Sequence, residues 1–440
     1  MRVTVIGLGY VGLTTATVLA RLGHQVLGVE LDRAKIQRIK RGDPIIQEPG
    51  LEDLLREGMT KGNLTFAHVN DVAKEPRDVV LVAVGTPSRP DGSCDVSYVQ
   101  SAIRWAVETT LGPTVIAMKS SLPPGTGKRL RDRELVNTEC SYVANPEFLQ
   151  QGSAVRDSLR PTRLVFGGDN PAAVDTVARM YLGIESPLIR TDITSAEMIK
   201  YAANAFLVTK ISFINDIAWL CRNLGGHIDD VTEGISLDPR IGSSFLRSGI
   251  GWGGSCFPKD VAALDHVATN NGGDIRLLNA VMYTNNRQKL LPVTALREWF
   301  GNLSGLRVAA LGLTFKPGTD DMRDAPSRTL IAALVEAGAQ VKAYDPVANE
   351  SARTLLPEEA EVVDSPEAAL TGAQAAILIT EWPELVNLPW EKVAGWMTAP
   401  RYIFDGRNSL NIQKLLDLGF EYEAVGRAVP RTASRTVRAA

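Results

Sequence analysis

Apolar runs recur along this chain at the spacing of alternating strands and helices. Residues 2–6 form a short apolar run rich in β-branched residues, a strand by its pattern, and a glycine-rich turn leads from it into an apolar stretch of helical length, Leu13 to Leu22. A second strand, Gln25 to Val29, ends at Glu30. Val79 to Val84 and Val115 to Met118 are continuously apolar, without the alternation of a strand wet on one side, so they predict parallel strands buried on both faces. A shorter strand leads into Asn145-Pro-Glu-Phe-Leu149. Strands alternating with helical segments predict an α/β fold built on a doubly wound parallel sheet.

From Ser195 to Leu224 the rhythm changes. No proline or glycine interrupts this stretch, and apolar side chains fall almost all round a helix, which predicts a long central helix buried between domains. Near Leu306 the strand–turn–helix pattern restarts, with Arg307 to Leu313, a polar loop, a helix over Ala325 to Ala337 and a strand, Val341 to Tyr344, ending in Asp345. Later strands, Ala375 to Thr380 and Tyr402 to Phe404, complete a second Rossmann-like unit. The expected organisation is residues 1–194 as a dinucleotide-binding domain, 195–300 as a central helical domain and 301–430 as the second Rossmann-like domain. Residues 431–440, with Arg431, Arg435 and Arg438 among small polar residues, are expected to fray.

A length of 440 residues suits two or three domains at roughly 100–200 residues each. The 47 basic and 50 acidic residues nearly cancel, which argues against a nucleic-acid or anionic-membrane partner. Cysteines 94, 140, 221 and 256 and the four histidines are scattered, so a disulfide framework or metal site is not expected and a reducing cytoplasm is. No apolar run approaches the ~20 residues of a membrane span. The strand pattern beginning at residue 2 leaves no room for a signal peptide.

The first turn, Gly7-Leu-Gly-Tyr-Val-Gly12, has the spacing and flanks of a dinucleotide site. Gly7 makes the turn, Gly9 admits a pyrophosphate, Gly12 lets helix meet strand, and Tyr10 and Val11 supply amides at the helix start. Glu30 would hold a ribose diol and repel a 2′-phosphate, which favours NAD over NADP. Arg33 and Lys35 follow closely and pull the other way, with Lys35 a further cofactor contact. Thr86, Ser121 and Glu147 fall at the carboxyl ends of predicted strands, where α/β sheets gather ligands, although each also serves as a turn or cap residue. Lys200 and Asn204, four apart, share a helix face, and a buried lysine there needs an acid or a ligand oxyanion.

The segment Arg240 to Gly249 has the look of a cover over a ligand and runs into Gly251-Trp-Gly-Gly-Ser-Cys-Phe-Pro-Lys-Asp260. Cys256 there is either a nucleophile reached over bare glycine backbone, with Lys259 and Asp260 nearby, or a small apolar filler. In the carboxy-terminal domain a long loop, Thr314 to Asp324, replaces the glycine cradle, so a second NAD is not expected. Lys316, Arg323 and Arg407 offer charge to the phosphates of a different nucleotide.

These motifs, with Gly85-Thr-Pro87, Glu197-Met-Ile-Lys-Tyr201, Phe315-Lys316 and Thr319-Asp-Asp-Met-Arg323 in the same order, resemble the UDP-glucose/GDP-mannose dehydrogenase family over nearly the whole chain. The resemblance implies two Rossmann-like domains joined by the long helix, a homodimer through that helix, and NAD-dependent four-electron oxidation of UDP-glucose to UDP-glucuronate. Cys256 would carry a thiohemiacetal and then a thioester. Lys200 and Asn204 would stabilise the oxyanion, Asp260, paired with Lys200, would order the hydrolytic water, and Glu147 and Ser121 would complete the catalytic set. Thr86, Ser121, Lys259 and Arg323 join the cofactor contacts. Phe148, Leu149, Gln151, Lys200, Asn204, Phe245, Leu246, Ser248, Gly249, Gly253, Lys316 and Arg407 would bind the nucleotide sugar, with Arg240 reaching it across the dimer. Three departures stand out: Gln151 replaces a glutamate, Ser121 a threonine and Glu30 an aspartate. The competing readings are a dehydrogenase of GDP-mannose or of a UDP-N-acetylhexosamine, and a silent nucleotide-sugar sensor. Thr380-Glu-Trp382 and Phe257 lean towards UDP-glucose.

Overall fold

The computed structural model describes residues 1–427, so the tail expected from residue 431 lies outside the described residues. The chain forms two compact units, Met1–Asn204 with Lys259–Asp274, and Ala205–Pro258 with the residues from Ile275 onward.

The first unit is built on an eight-stranded sheet. Its strands are β1 (Arg2–Ile6), β2 (Gln25–Glu30), β3 (Leu64–His68), β4 (Val79–Val82), β5 (Thr114–Met118), β6 (Cys140–Ala144), β7 (Leu164–Gly167) and β8 (Leu188–Thr191), in the order β3-β2-β1-β4-β5-β6-β7-β8. The continuously apolar β4 and β5 lie in the interior and are buried along their whole length, as their lack of alternation requires. β1 pairs with both β2 and β4, so the winding reverses there and opens a crevice at the strands' carboxyl ends. One element departs from the expected all-parallel sheet: β7 runs antiparallel to β6. The buried Asn145 side chain donates to Val165 O at 3.0 Å and holds this junction, so this motif asparagine is structural.

The second unit repeats the plan. β9 (Arg307–Leu311), β10 (Gln340–Tyr344), β11 (Glu361–Val362), β12 (Ala375–Leu378), β13 (Tyr402–Asp405) and β14 (Glu421–Ala424) form a wholly parallel sheet ordered β11-β10-β9-β12-β13-β14. In both units the first turn glycine donates back to the second strand, Gly7 N to Val29 O at 2.9 Å and Gly312 N to Tyr344 O at 2.8 Å. The acid ending that strand then separates the two domains. Asp345 is fully buried and accepts from Leu313 N at 2.6 Å and Trp382 Nε1 at 3.2 Å, so its carboxylate is committed inside the protein and is not offered to a ribose. Trp382 is accordingly a core residue of this domain rather than a ligand contact.

The helix Ile193–Leu224 has 32 residues. Burial on all sides, expected from its composition, is not what the structure shows. Val208, Ile214, Ala218 and Cys221 enter the core, whereas Phe206, Phe213, Leu220 and Leu224 are exposed at 64%, 51%, 44% and 82%. The apolar set is wider than the core it packs on, and three of the exposed residues recur every seven positions as one stripe. No helix among the described residues is long and apolar enough to cross a membrane.

Candidate active site

In the first unit the glycine turn has the shape a pyrophosphate needs. Gly7 sits at φ +87°, and a Cβ on Gly12 would lie 1.8 Å from Gly7 O, so neither position accepts a side chain. A Cβ on Gly9 would meet nothing within 4 Å, which leaves bare backbone facing open space. The helix Tyr10–Arg21 has no side-chain cap among the described residues, so its first N–H groups suit an anion. Glu30 accepts from Leu8 N at 3.0 Å and Leu31 N at 2.7 Å. Asp32 N adds a longer bond at 3.4 Å. An ionised carboxylate has about four acceptor positions, so these three backbone bonds still leave one free for a diol. Arg33 is engaged by both oxygens of Asp71, at 2.9 and 3.0 Å, which draws it from the phosphate-binding role its position suggested. Lys35 is exposed on the following helix.

Beyond the ends of the adjacent strands β4, β5 and β6 come Thr86 and Ser121, both half-buried, and Glu147, buried. Glu147 Oε1 accepts from Lys200 Nζ at 3.0 Å and its Oε2 from Leu149 N at 2.6 Å. Burial alone would raise the Glu147 pKa, but the Lys200 charge, the Leu149 N–H and the more distant Lys119 outweigh it and hold the carboxyl below its ordinary range. Phe148 presents its ring to Lys200 at 5.5 Å and to Arg163 at 3.6 Å. One turn along the long helix from Lys200, Asn204 Nδ2 donates to Asp260 Oδ2 at 2.6 Å, and Lys259 Nζ donates to Asp260 Oδ1 at 2.7 Å. Two ion pairs stand here, Lys200 with Glu147 and Lys259 with Asp260. Ser121, Tyr142, Glu197 and Lys200 also line a small cavity. Glu197 accepts from Gly125 N and Gly127 N, each at 2.7 Å, yet burial pushes it up to about 8 against those bonds.

Two features here escaped the sequence reading. Lys119 is buried against Tyr181 OH at 3.1 Å, and only its place directly after β5 hinted at a role. Tyr10 OH donates to Glu48, which also accepts from Gly152 N at 2.8 Å beside Gln151. Glu48 lies in a loop without periodicity, so nothing in the pattern marked it.

In the second unit Cys256 is exposed and immediately precedes the helix Phe257–Asn270. The sequence pattern reads as a loop here and misses the helix; Pro258 and Asp260 suit its first turn, and its positive end favours a thiolate. Arg323 has a raised pKa, chiefly from Asp321 and in part from the charge of Cys256. The glycines before the cysteine serve the protein's own packing. A Cβ on Gly253 would fall 2.2 Å from Asp324 O, and Gly254 N donates to Arg323 O at 2.9 Å, so the missing side chain at Gly253 makes room for the 314–324 loop.

Phe245, at φ +63°, sets its ring edge-on to Phe257 at 6.3 Å, while Leu246 and Ser248 are buried. Gly249 packs by Arg407, whose guanidinium donates to Ile379 O at 2.7 Å and meets Glu381 at 3.4 Å. Lys316 Nζ lies 5.7 Å from the Phe315 ring, and Arg240 is exposed and paired with Asp238 at 2.6 Å. Among the described residues no group of three or more His, Cys, Asp or Glu is placed to hold a metal ion.

Comparison with known proteins addresses both units. Residues 1–185 match the NAD-binding domain of the UDP-glucose/GDP-mannose dehydrogenase family, 194–287 its central domain and 309–412 its UDP-binding domain. The chain is 40% identical to the UDP-glucose 6-dehydrogenase TuaD of Bacillus subtilis, over 98% of this chain and 94% of that protein. It is 42% identical to the UDP-glucose 6-dehydrogenase of Pseudomonas aeruginosa, over 97% and 98%. Among solved structures, a UDP-glucose dehydrogenase from the hyperthermophilic archaeon Pyrobaculum islandicum superposes with a TM-score of 0.89 at 35% identity, covering 97% of this chain and 98% of that one. The bare glycine turn, the second parallel sheet that keeps its acid to itself and the full-length matches agree: this chain belongs to the UDP-glucose/GDP-mannose dehydrogenase family, and its amino-terminal domain is that family's NAD-binding domain.

Proposed function

We propose that this protein oxidises UDP-glucose to UDP-glucuronate with NAD⁺, through a covalent intermediate on Cys256, as a cytoplasmic homodimer. The full-length similarity to proteins named UDP-glucose 6-dehydrogenase supports the substrate. The observation that carries the mechanism is an exposed thiol at a helix head, within electrostatic reach of Arg323. Residues 1–194 hold the cofactor, 195–300 carry the thiol and the dimer helix, and 301–430 bind the uridine nucleotide.

When bound, NAD⁺ supplies the hydride acceptor for both two-electron steps, alcohol to aldehyde and thiohemiacetal to thioester. The turn Gly7, Gly9, Tyr10, Val11 and Gly12 cradles its pyrophosphate and Glu30 its ribose, with Lys35, Thr86, Ser121, Lys259 and Arg323 completing the contacts. Phe245 to Gly249, Gly253, Lys316 and Arg407 hold the nucleotide, Phe148, Leu149 and Gln151 flank the sugar, and Arg240 reaches it from the partner subunit.

The Cys256 thiolate adds to the aldehyde carbon, forming a C–S bond, and the carbonyl electron pair moves to an oxyanion. Lys200 and Asn204 stabilise that oxyanion, and Glu147 holds Lys200 in place through their ion pair. Asp260 orders the water that attacks the thioester. The C–S bond then breaks, the sulfur leaves as thiolate, and a carboxylate and two protons are released. Gln151 cannot take either proton near neutral pH.

The alternative substrate has a specific footing, since a UDP-D-ManNAc dehydrogenase from Pyrococcus horikoshii superposes with a TM-score of 0.86 at 28% identity. NADH formation with UDP-glucose, UDP-N-acetylmannosamine and GDP-mannose separates the readings. Two NADH per UDP-glucose are expected; preference for another sugar would overturn the substrate, and binding without turnover the enzyme.

A further inference from the structure

We propose that Asn285, on the helix Arg276–Lys289, is a positioning residue that fixes the cysteine loop by clamping the backbone of Trp252. The inference rests on the covalent role of Cys256 given above. Residues 249–254 belong to no strand or helix, so their buried N–H and C=O groups need partners from elsewhere. Asn285 supplies two at one residue: Trp252 N donates to its Oδ1 at 2.8 Å, and its Nδ2 donates to Trp252 O at 3.0 Å. The same helix face adds Gln288 Nε2, which donates to Gly249 O at 2.8 Å, and the long helix adds Asn215 Oδ1, which accepts from Gly249 N at 2.9 Å.

Asn285 is 1% exposed, so its amide is committed to this loop. The clamp also accounts for a glycine. Gly251 sits at φ +95°, and a Cβ there would lie 2.7 Å from Asn285 Oδ1, so the amide reaches the loop only because residue 251 has no side chain. From Trp252 the restraint runs to the thiol. The indole Nε1 donates to Ser212 Oγ at 3.1 Å, and the indole stands edge-on, at 6.3 Å and 89°, to the ring of Phe257, the residue that follows Cys256. The chain of contacts is thus Asn285, Trp252, Phe257 and then the nucleophile's own neighbour. A nucleophile misplaced by about 1 Å loses on the order of a hundredfold in rate, so a clamp of this kind acts on kcat.

The test uses the full-length protein with Asn285→Leu, an apolar side chain of similar size, and Asn285→Asp, which keeps the acceptor for Trp252 N. Three readouts are compared with the wild type: iodoacetamide alkylation of Cys256 against pH, kcat and KM for UDP-glucose oxidation, and NADH-dependent reduction of the UDP-sugar 6-aldehyde, a step that does not use the thiol. For Asn285→Leu we expect an altered alkylation profile and at least a tenfold fall in oxidation kcat. Its KM for NAD⁺ and its aldehyde reduction should stay within about twofold of wild type, and Asn285→Asp should recover part of the loss. A wild-type alkylation profile with unchanged kcat would overturn the proposal, and so would parallel losses in oxidation and aldehyde reduction. If Asn285→Leu does not fold, Asn285→Asp decides on the same criteria. A wild-type protein that fails to oxidise UDP-glucose would instead defeat the reading of function, and the alkylation profiles would still judge the clamp.

Discussion

Lys200 donates to Glu147 at 3.0 Å, and the two side chains are only 6% and 9% exposed. Removing one member of such a pair leaves a buried charge alone, at a cost of about 3–5 kcal/mol. Glu147→Gln should therefore lower unfolding stability by about that amount in urea titrations, and adding Lys200→Met should recover much of it. A loss under about 1 kcal/mol in the single variant would show that Lys200 depends little on this carboxylate. Because the folded pKa of Glu147 is depressed, its contribution is present above the ordinary carboxylate range and is lost as pH falls through the folded value.

Glu197 has the opposite sign. Burial raises its carboxyl from 4.5 to about 8, so its contribution is fullest below pH 4.5 and is lost as pH rises towards 8. The Tm of the wild type should fall across that window relative to Glu197→Gln, since the amide never ionises. A Tm difference that stays constant from pH 5 to pH 8 would contradict the assignment.

Asp71 occupies Arg33 at 2.9 Å. Asp71→Ala should release the guanidinium and raise kcat/KM for NADP⁺ by up to about fivefold, the scale of an exposed ion pair. NAD⁺ should remain preferred because Glu30 is unchanged. Equal cofactor ratios in wild type and variant would show that Arg33 does not reach the 2′ position.

The stripe of Phe206, Phe213 and Leu220 is exposed on a single chain, and apolar patches of this kind mark contact sites. If the proposed homodimer forms through this stripe, Phe213→Glu should leave only monomer in sedimentation velocity where the wild type is a dimer. A dimer of unchanged affinity would move the interface off this helix.

Much of the architecture was legible because continuous apolar strands and a strand-flanked glycine turn each have one physical reading. A doubly wound sheet in each half followed, whereas the strand orders and the antiparallel β7, tied to β6 through the Asn145 side chain, are reported by no periodicity. Glu147 drew attention because an acid falls there at a strand end, and Lys200 because a lysine on an apolar helix needs a partner. Their pairing was not legible, because 53 residues separate them and several acids competed for that lysine. The glycines around Cys256 were read as making room for ligand, whereas Gly253 makes room for the backbone at Asp324. A missing side chain shows that something comes close without showing what. The exposed face of the long helix was hidden for a related reason, since composition reports what a helix can bury and its packing partners decide how much is buried.

The covalent role of Cys256 is tested most directly by intact-protein mass spectrometry of the reaction with UDP-glucose and NAD⁺, quenched during turnover, in wild type and Cys256→Ser. The account predicts a UDP-sugar acyl adduct that maps to Cys256 in the wild type. Cys256→Ser should bind both UDP-glucose and NAD⁺ yet form no net UDP-glucuronate. Wild-type rates of UDP-glucuronate formation by Cys256→Ser, with no adduct on either protein, would contradict it.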